Sequence, residues 1–118
     1  MSKLTIYHHS KCKTSRDVLD LIRQSGIEPV IIQFALTPLN EEELRSLMKA
    51  TGGSIRDILR QKGTPYDELD LENPKWTDED LIGFIMEHPI LMNRPIVSNG
   101  KKALLCRPIE TVLELLKP

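Results

Sequence analysis

The order of the predicted strands and helices places this 118-residue chain in the α/β class. Two observations predict that class: a strand–helix–strand unit opens the chain, and a strand hairpin followed by a helix closes it. Between them lies a segment whose apolar residues recur at helical spacing. The length fits one domain spanning residues 1–118, and 40% hydrophobic with 28% charged residues predicts a packed core.

The first 38 residues predict a βαβ unit. Residues 4–8 alternate as in a strand, and residues 30–34 are apolar enough to form a second strand buried on both faces. Between these strands, apolar residues recur at helical spacing before Gly26, which predicts a helix C-cap. Because the connections are short, the two strands are expected to be parallel.

Residues 39–88 are predicted to form a helical insertion. Three pairs of residues in it have the spacing of a capping box, a motif with which helices begin. These pairs are Asn40 with Glu43, Ser54 with Asp57, and Thr77 with Asp80. The second predicted helix ends near Gly63, and Pro89 stops the third.

Residues 89–118 predict a hairpin and a last helix. Residues 96–98 and 101–106 are strand-like and flank Asn99-Gly100, a dipeptide typical of two-residue turns. A helix-like pattern follows them. The complete order is therefore βαβ, helical insertion, ββα, in which the first and last segments form the core.

Cys12 stands between the first strand and the first helix, without a second cysteine nearby. A thiol at a helix N-terminus forms the reactive thiolate more readily, and Lys11, Lys13 and Arg16 favour the anion further. The alternative is a buried cysteine without chemistry. A cysteine that opens the first helix of this element order predicts a thioredoxin-like α/β sheet carrying an inserted helical subdomain.

Arg94 and Arg107 are predicted to lie on one face of the hairpin. If the turn has two residues, they are diagonal neighbours with Cα atoms roughly 7–8 Å apart. Two such guanidinium groups form a fork suited to an oxyanion, and the alternative is a pair of solvated arginines beside the sheet. Cys106 points to the opposite face by alternation, which makes it a poor disulfide partner for Cys12.

His8 and His9 precede Cys12, and alternation places them on opposite faces, so at most one approaches the thiol. His8 can act as an electrostatic partner of the thiolate, or it can be a half-buried strand histidine with a backbone partner. A zinc site built from these residues lacks a fourth ligand in the local chain, so no metal is expected.

Composition limits the classes of partner and compartment. Sixteen basic and seventeen acidic residues give a net charge of −1, which does not indicate nucleic-acid or membrane binding. No apolar stretch is long enough to span a bilayer or to serve as a signal peptide. Two cysteines are too few for a disulfide framework, so a reducing cytoplasm is the expected compartment. A monomer is expected as the default state of this fold.

Five short segments, spread in order over nearly the whole chain, carry a family resemblance. They are residues 6–8 (IYH), 12–16 (CKTSR), 55–60 (IRDILR), 88–97 (HPILMNRPIV) and 105–108 (LCRP). Each segment alone is a weak signal, but the set is specific. Together they resemble the glutaredoxin-linked arsenate reductases of the thioredoxin-like superfamily, in a short form without the C-terminal tail of the prototypical enzymes.

The resemblance implies roles for four residues. Cys12 corresponds to the nucleophile, and Arg60, Arg94 and Arg107 correspond to the groups that bind the oxyanion. Spacing alone leaves Arg56 and Arg60 as alternatives, because they lie one helical turn apart. Only the family pattern selects Arg60.

The resemblance also implies that Pro95 is a cis-proline beside the site and that His8 and Ser15 modulate the thiol. The implied activity is reduction of arsenate to arsenite, with no bound cofactor, glutathione as the reductant and glutaredoxin as a partner. One alternative is a glutathione-dependent thiol reductase with another substrate. The other is a Spx-like regulator that binds RNA polymerase, a class that uses a CxxC switch where this chain has Ser15.

Overall fold

A mixed four-stranded sheet forms the centre of the protein, seen in a computed structural model that describes residues 3–116. The strand order is β2-β1-β3-β4. Strand β1 (Thr5–His8) pairs in parallel with β2 (Val30–Gln33) and antiparallel with β3 (Ile96–Ser98), which pairs antiparallel with β4 (Ala103–Leu105). The predicted α/β class is therefore confirmed, as is the parallel pairing of the first two strands.

Four α-helices and three short 3₁₀ helices accompany the sheet within the described range. The α-helices are α1 (Lys13–Gln24), α2 (Glu41–Thr51), α3 (Asp78–Glu87) and α4 (Leu113–Leu116). The 3₁₀ helices are Ile55–Ile58, Pro89–Leu91 and Ile109–Val112. None of these helices is long and apolar enough to cross a membrane.

Reciprocal capping bonds fix the starts of α2 and α3, as predicted. At α2, the Asn40 side chain accepts from the Glu43 N–H at 2.8 Å, and the Glu43 carboxylate accepts from the Asn40 N–H at 3.0 Å. Thr77 and Asp80 form the same pair of bonds at α3. Each box satisfies two backbone donors that a helix start otherwise leaves without partners.

The predicted helix from Ser54 to Gly63 is wrong in length. The Asp57 carboxylate does accept from the Ser54 N–H at 2.9 Å, but only one 3₁₀ turn follows. The chain becomes extended at Leu59, which forms an isolated antiparallel bridge with Met92. This tertiary pairing replaces the local helix and directs the chain that contains Arg60 toward the segment preceding β3.

The hairpin register also differs from the predicted one. Ser98 pairs with Ala103 rather than Lys101, which leaves a four-residue loop at 99–102. The Asn99 side chain accepts from the N–H groups of Lys101 and Lys102 at 2.9 and 2.8 Å, and these bonds stabilise the wider loop. Because the register moves by two residues, every side chain stays on its predicted face.

Strand β2 is not buried on both faces as predicted. It lies at an edge of the sheet, and its residues are half-buried or exposed, with Val30 at 37% exposure. The central strands β1 and β3 carry the fully buried side chains instead, including Ile6 and Ile96. Apolar composition alone does not reveal whether a strand lies at the centre or the edge of a sheet.

Two apolar clusters cover the two faces of the sheet. One joins Ile96 of β3 and Phe34, which directly follows β2, to the inward faces of α2 and α3. The other joins Ile6 and Val97 to α1 and to the segment around Val112. Helices on both faces therefore hold the ends of the strands rigidly, and the candidate site lies at one of those ends.

Candidate active site

Cys12 is the N-cap residue of α1, directly after the loop that leaves β1. Its N–H donates to the His9 carbonyl at 3.0 Å, which closes this loop, and its side chain is half-buried. Arg107 Nη1 lies 3.9 Å from Cys12 Sγ, a distance at which it can donate a hydrogen bond to sulfur. The predicted position of the thiol at a helix N-terminus is confirmed.

Opposing effects act on the Cys12 thiol. Burial raises its pKa, but the Ser15 N–H and the guanidinium groups of Arg94 and Arg107 together hold that pKa below its ordinary value. A backbone N–H and two cations favour the charged form directly. The thiolate, which is the nucleophilic form, is therefore more abundant than in an ordinary cysteine.

The basic residues next to Cys12 in sequence are directed elsewhere. Lys13 Nζ pairs with the Asp17 carboxylate at 2.7 Å, and Arg16 Nη1 donates to the Ser10 carbonyl at 3.0 Å. The cations in contact with the thiol thus come from distant parts of the chain. Sequence proximity predicted the sign of the effect on the Cys12 pKa, but Lys13 and Arg16, two of the three side chains it named, have other partners.

Cys106 differs from Cys12 in every respect that bears on reactivity. It is fully buried in the apolar cluster with Ile6 and Val97, on the face opposite Arg107. Burial raises the pKa of its thiol to about 12. It is therefore protonated at neutral pH and inert toward external reagents.

The structure brings Arg60, Arg94 and Arg107 together around Cys12. Arg107 Nη1 donates to the Arg94 carbonyl at 2.9 Å as well as approaching the sulfur. Burial lowers the pKa of Arg60, and so do the charges of Arg94 and Arg107, whereas a Cys12 thiolate raises it. The four groups are therefore within electrostatic range of one another, although the arginines come from three separate segments.

The arginines retain unused hydrogen-bonding capacity. None of the three has a carboxylate partner within residues 3–116. Arg94 Nε is buried without any hydrogen-bond partner in that range. A buried donor without an acceptor is costly, and three clustered guanidinium groups repel one another. An oxyanion would remedy both deficits.

Arg56 contacts a different part of the protein from Arg60. Its Nη1 donates to the Leu71 carbonyl at 2.8 Å and its Nη2 to the Asn73 carbonyl at 2.9 Å. The guanidinium group thereby holds the loop that leads to α3. Arg60, which follows the single 3₁₀ turn, instead donates to Asn93 Oδ1 and lies within electrostatic range of Arg94, Arg107 and Cys12. The structure therefore distinguishes two arginines that spacing alone leaves as alternatives.

Asn93 is a site residue that sequence reasoning missed. Its Oδ1 accepts from Arg60 Nη1 at 3.2 Å and from the Arg94 N–H at 3.0 Å. Its own N–H donates to the Ile58 carbonyl at 2.7 Å. One amide oxygen therefore joins two segments that each supply an arginine. The sequence signal that could have indicated Asn93 as a site residue is its position as a polar residue between the apolar Met92 and the candidate site residue Arg94.

His8 contacts Ser15 rather than the thiol. His8 Nδ1 lies 2.6 Å from Ser15 Oγ, which also accepts from the His9 N–H at 3.1 Å. Burial and then the positive charges of His9, Arg23 and Arg16 lower the His8 pKa, so its ring is neutral at neutral pH. Any influence of His8 on Cys12 consequently passes through Ser15, whose N–H faces the sulfur.

His9 lies on the other side of the loop. Burial and then the charges of Arg94, Lys11 and Arg60 lower its pKa, and its Nδ1 is buried without a hydrogen-bond partner in the described range. Its ring centroid is 6.3 Å from that of Phe34. Residues 3–116 contain no group of three or more His, Cys, Asp or Glu side chains placed to hold a metal ion.

Pro95 is buried and follows a cis peptide bond, as the resemblance implied. Its carbonyl accepts from the Cys106 N–H at 2.9 Å, which continues the β3–β4 pairing toward the arginines. The Arg107–Pro108 bond is also cis, which the sequence did not predict. Arg94 and Arg107 thus each precede a cis-proline at the same end of the sheet.

Alkylation of Cys12 by iodoacetamide is expected to have its pH midpoint below that of an ordinary thiol. Because the Arg107 cation favours the thiolate, Arg107→Gln should move this midpoint upward. Mass spectrometry of the labelled protein across pH 5–10 measures the rate at Cys12 separately from that at Cys106. An equal midpoint in the wild type and the variant would show that Arg107 does not stabilise the thiolate.

Similarity to known proteins agrees with this geometry. Residues 7–115 match the ArsC family. The chain is 49% identical over 116 residues to an arsenate reductase of Escherichia coli, covering 98% of this chain and 82% of that protein. It is 44% identical over 113 residues to an arsenate reductase of Rhizobium meliloti, covering 96% and 81%.

A solved structure extends the agreement to three dimensions. The arsenate reductase from Vibrio cholerae superposes with a TM-score of 0.91 at 38% identity, covering 96% of this chain and 97% of that one. The sheet and helices therefore have the thioredoxin-like fold that the element order predicts. From the family match and these full-length similarities, the chain belongs to the ArsC family.

Proposed function

We propose that this protein reduces arsenate to arsenite, with Cys12 as the nucleophile and Arg60, Arg94 and Arg107 as the groups that bind the oxyanion. The observation that carries the proposal is the buried Arg94 Nε, which has no acceptor among residues 3–116 and belongs to one of the two guanidinium groups that lower the pKa of the Cys12 thiol. The similarity to proteins named arsenate reductase supports the choice of substrate.

In the first step, the Cys12 thiolate attacks arsenic. An S–As bond forms and an As–O bond breaks, and the departing oxygen takes up protons and leaves as water. Arsenic remains in the +5 state. The arginines stabilise the negative charge on the remaining oxygens during the attack, an effect that is large in a partly dry site.

In the second step, a glutathione thiolate attacks the Cys12 sulfur. An S–S bond forms, and the S–As bond breaks with its electron pair passing to arsenic, which leaves as arsenite in the +3 state. Glutaredoxin then attacks the glutathione sulfur of the mixed disulfide and releases the Cys12 thiolate. The overall balance is arsenate and two thiols giving arsenite, one disulfide and water, with no bound cofactor.

External thiols are part of the proposal because Cys106 cannot resolve the intermediate. It is buried on the opposite face of the hairpin with a pKa raised to about 12. A protonated and inaccessible thiol does not enter disulfide exchange. Dependence on glutathione and glutaredoxin fits a reducing cytoplasm, and we propose that the protein works there as a monomer.

A coupled assay tests the activity. Protein, glutathione, glutaredoxin, glutathione reductase and NADPH are combined, and absorbance at about 340 nm is followed after arsenate is added. Since each arsenate takes up two electrons, one NADPH should be consumed per arsenite formed. Sulfate in place of arsenate should give no turnover.

Arsenate-dependent turnover no faster than the rate without the protein would reject the activity. In parallel, a glutathione mixed disulfide replaces arsenate as the substrate. Turnover of that disulfide without turnover of arsenate would identify a thiol reductase with another substrate instead.

A further inference from the structure

A cavity of about 290 Å³ lies beside the loop that carries Cys12. Residues 8–11 form one wall, and Gln33, Ala35 and Leu36, at and beyond the end of β2, form the other. Because β1 lies between β2 and β3, the cavity is on the β2 side of β1, whereas Arg94 precedes β3 and Arg107 follows β4. The volume is close to the lower end of the roughly 300–1,000 Å³ range of ligand pockets.

In the second step of the proposed reaction, a glutathione thiolate has to reach the Cys12 sulfur while arsenic is still bound to it. A thiolate that displaces arsenic from the Cys12 sulfur must approach in line with the S–As bond, opposite the arsenic atom. The arginines hold the arsenic oxygens on the β3 side. The reductant consequently has to reach the sulfur from a direction that the arginines leave open, and the cavity beside residues 8–11 lies on the β2 side of the loop.

The walls of the cavity offer groups that suit a small anionic peptide. Lys11 is exposed and forms no ion pair within residues 3–116. His9 has a buried Nδ1 that lacks a hydrogen-bond partner in the same range. Leu36, at 77% exposure, adds an apolar surface that the rest of the chain does not cover.

We infer that this cavity binds glutathione, a γ-glutamyl tripeptide thiol with two carboxylates and one ammonium group. Lys11 contacts one of its carboxylates, His9 forms part of the wall against which it packs, and Leu36 contacts its aliphatic part. The cavity alone supports a binding site for glutathione. The role of that site in the second step, in which glutathione attacks the Cys12 sulfur, rests on the proposed function. Bound in this way, the thiol is held beside Cys12 while the arginines remain occupied by the oxyanion.

Binding of S-methylglutathione, which cannot react, tests the site without arsenate. In a titration of ¹⁵N-labelled protein, the amide resonances of residues 9–11 and 33–36 are expected to shift and to saturate. Shifts confined to Arg94, Ile96 and Arg107, or no saturable shifts, would overturn the inference.

Two matched variants sharpen the titration. Gln33 and Gln24 are both exposed, but Gln24 lies near the far end of α1, about 18 Å along the helix axis from Cys12. Gln33→Glu places a negative charge on the cavity wall and should weaken binding of S-methylglutathione about fivefold by repulsion. Gln24→Glu adds the same charge and should leave the affinity unchanged; equal effects of the two variants would overturn the inference.

Kinetics separate failure of the site from failure of the proposed function. Gln33→Glu should raise the KM for glutathione about fivefold and leave the KM for arsenate unchanged. An effect on the KM for glutaredoxin alone would overturn the inference, because the surface would then dock the protein and not the tripeptide. Saturable shifts without arsenate turnover would reject the function and keep the site; turnover without shifts would reject the site alone.

Discussion

Cys12→Ser is expected to lower arsenate turnover at least about 10³-fold, because it removes the nucleophile that attacks arsenic in the proposed reaction. A serine hydroxyl is almost entirely protonated at neutral pH even beside Arg94 and Arg107. It also cannot form the mixed disulfide through which glutathione delivers its electrons. Both steps are lost together, so higher concentrations of arsenate or glutathione should not restore the rate.

Cys106→Ala is the matched control for this loss. The Cys106 sulfur is buried among apolar side chains, and its removal should lower the free energy of unfolding by about 1–2 kcal/mol. Turnover per folded molecule should stay within about threefold of the wild type. The coupled assay and a urea denaturation curve measure the two effects. Comparable losses of turnover in both variants would contradict the assignment of Cys12 as the nucleophile.

Arg60→Gln should lower kcat/KM for arsenate about 10²-fold and change the free energy of unfolding little. In the structure, the Arg60 guanidinium contacts Asn93 Oδ1 and the Lys62 carbonyl and faces the charges of the site. Its removal leaves two cations for a doubly charged anion. Since the missing charge acts on both the bound substrate and the transition state, kcat should fall and the KM for arsenate should rise.

Arg56→Gln should lower stability and leave the kinetics nearly unchanged, the opposite of what is expected for Arg60→Gln. It removes two hydrogen bonds to the carbonyls of Leu71 and Asn73, so the free energy of unfolding should fall by about 1–3 kcal/mol. Its kcat/KM should remain within about threefold of the wild type. Steady-state kinetics and denaturation of both variants give a two-by-two comparison. A greater kinetic loss in Arg56→Gln than in Arg60→Gln would reverse the roles assigned to the two arginines.

The elements that sequence predicted best are those fixed by local chemistry. The capping boxes at Asn40 and Thr77 depend on residues three apart and begin α2 and α3 as expected. The same motif at Ser54 predicted a helix that is too long, because the bridge between Leu59 and Met92 ends the helical segment after one turn. That bridge joins residues that are far apart in sequence, so no local pattern could reveal it.

In the candidate site, too, local patterns predicted some features, and others depend on contacts between segments that are distant in sequence. Alternation placed Arg94 and Arg107 on one face, and this holds for the observed four-residue loop as it does for the predicted two-residue loop. The distinction between Arg56 and Arg60 depends on where the loop at 71–73 lies, and spacing carries no such information. The contacts of Asn93 Oδ1 likewise depend on two segments meeting, which only tertiary structure discloses.

The four-residue loop at 99–102 also limits how related chains can vary in length. A change of two residues preserves the parity of every position that follows, so Arg107 still points toward Cys12. A change of one residue would turn the Arg107 side chain into the apolar cluster and bring Cys106 to the solvent side. Natural insertions and deletions in this hairpin should therefore come in even numbers wherever the anion-binding arginine is retained.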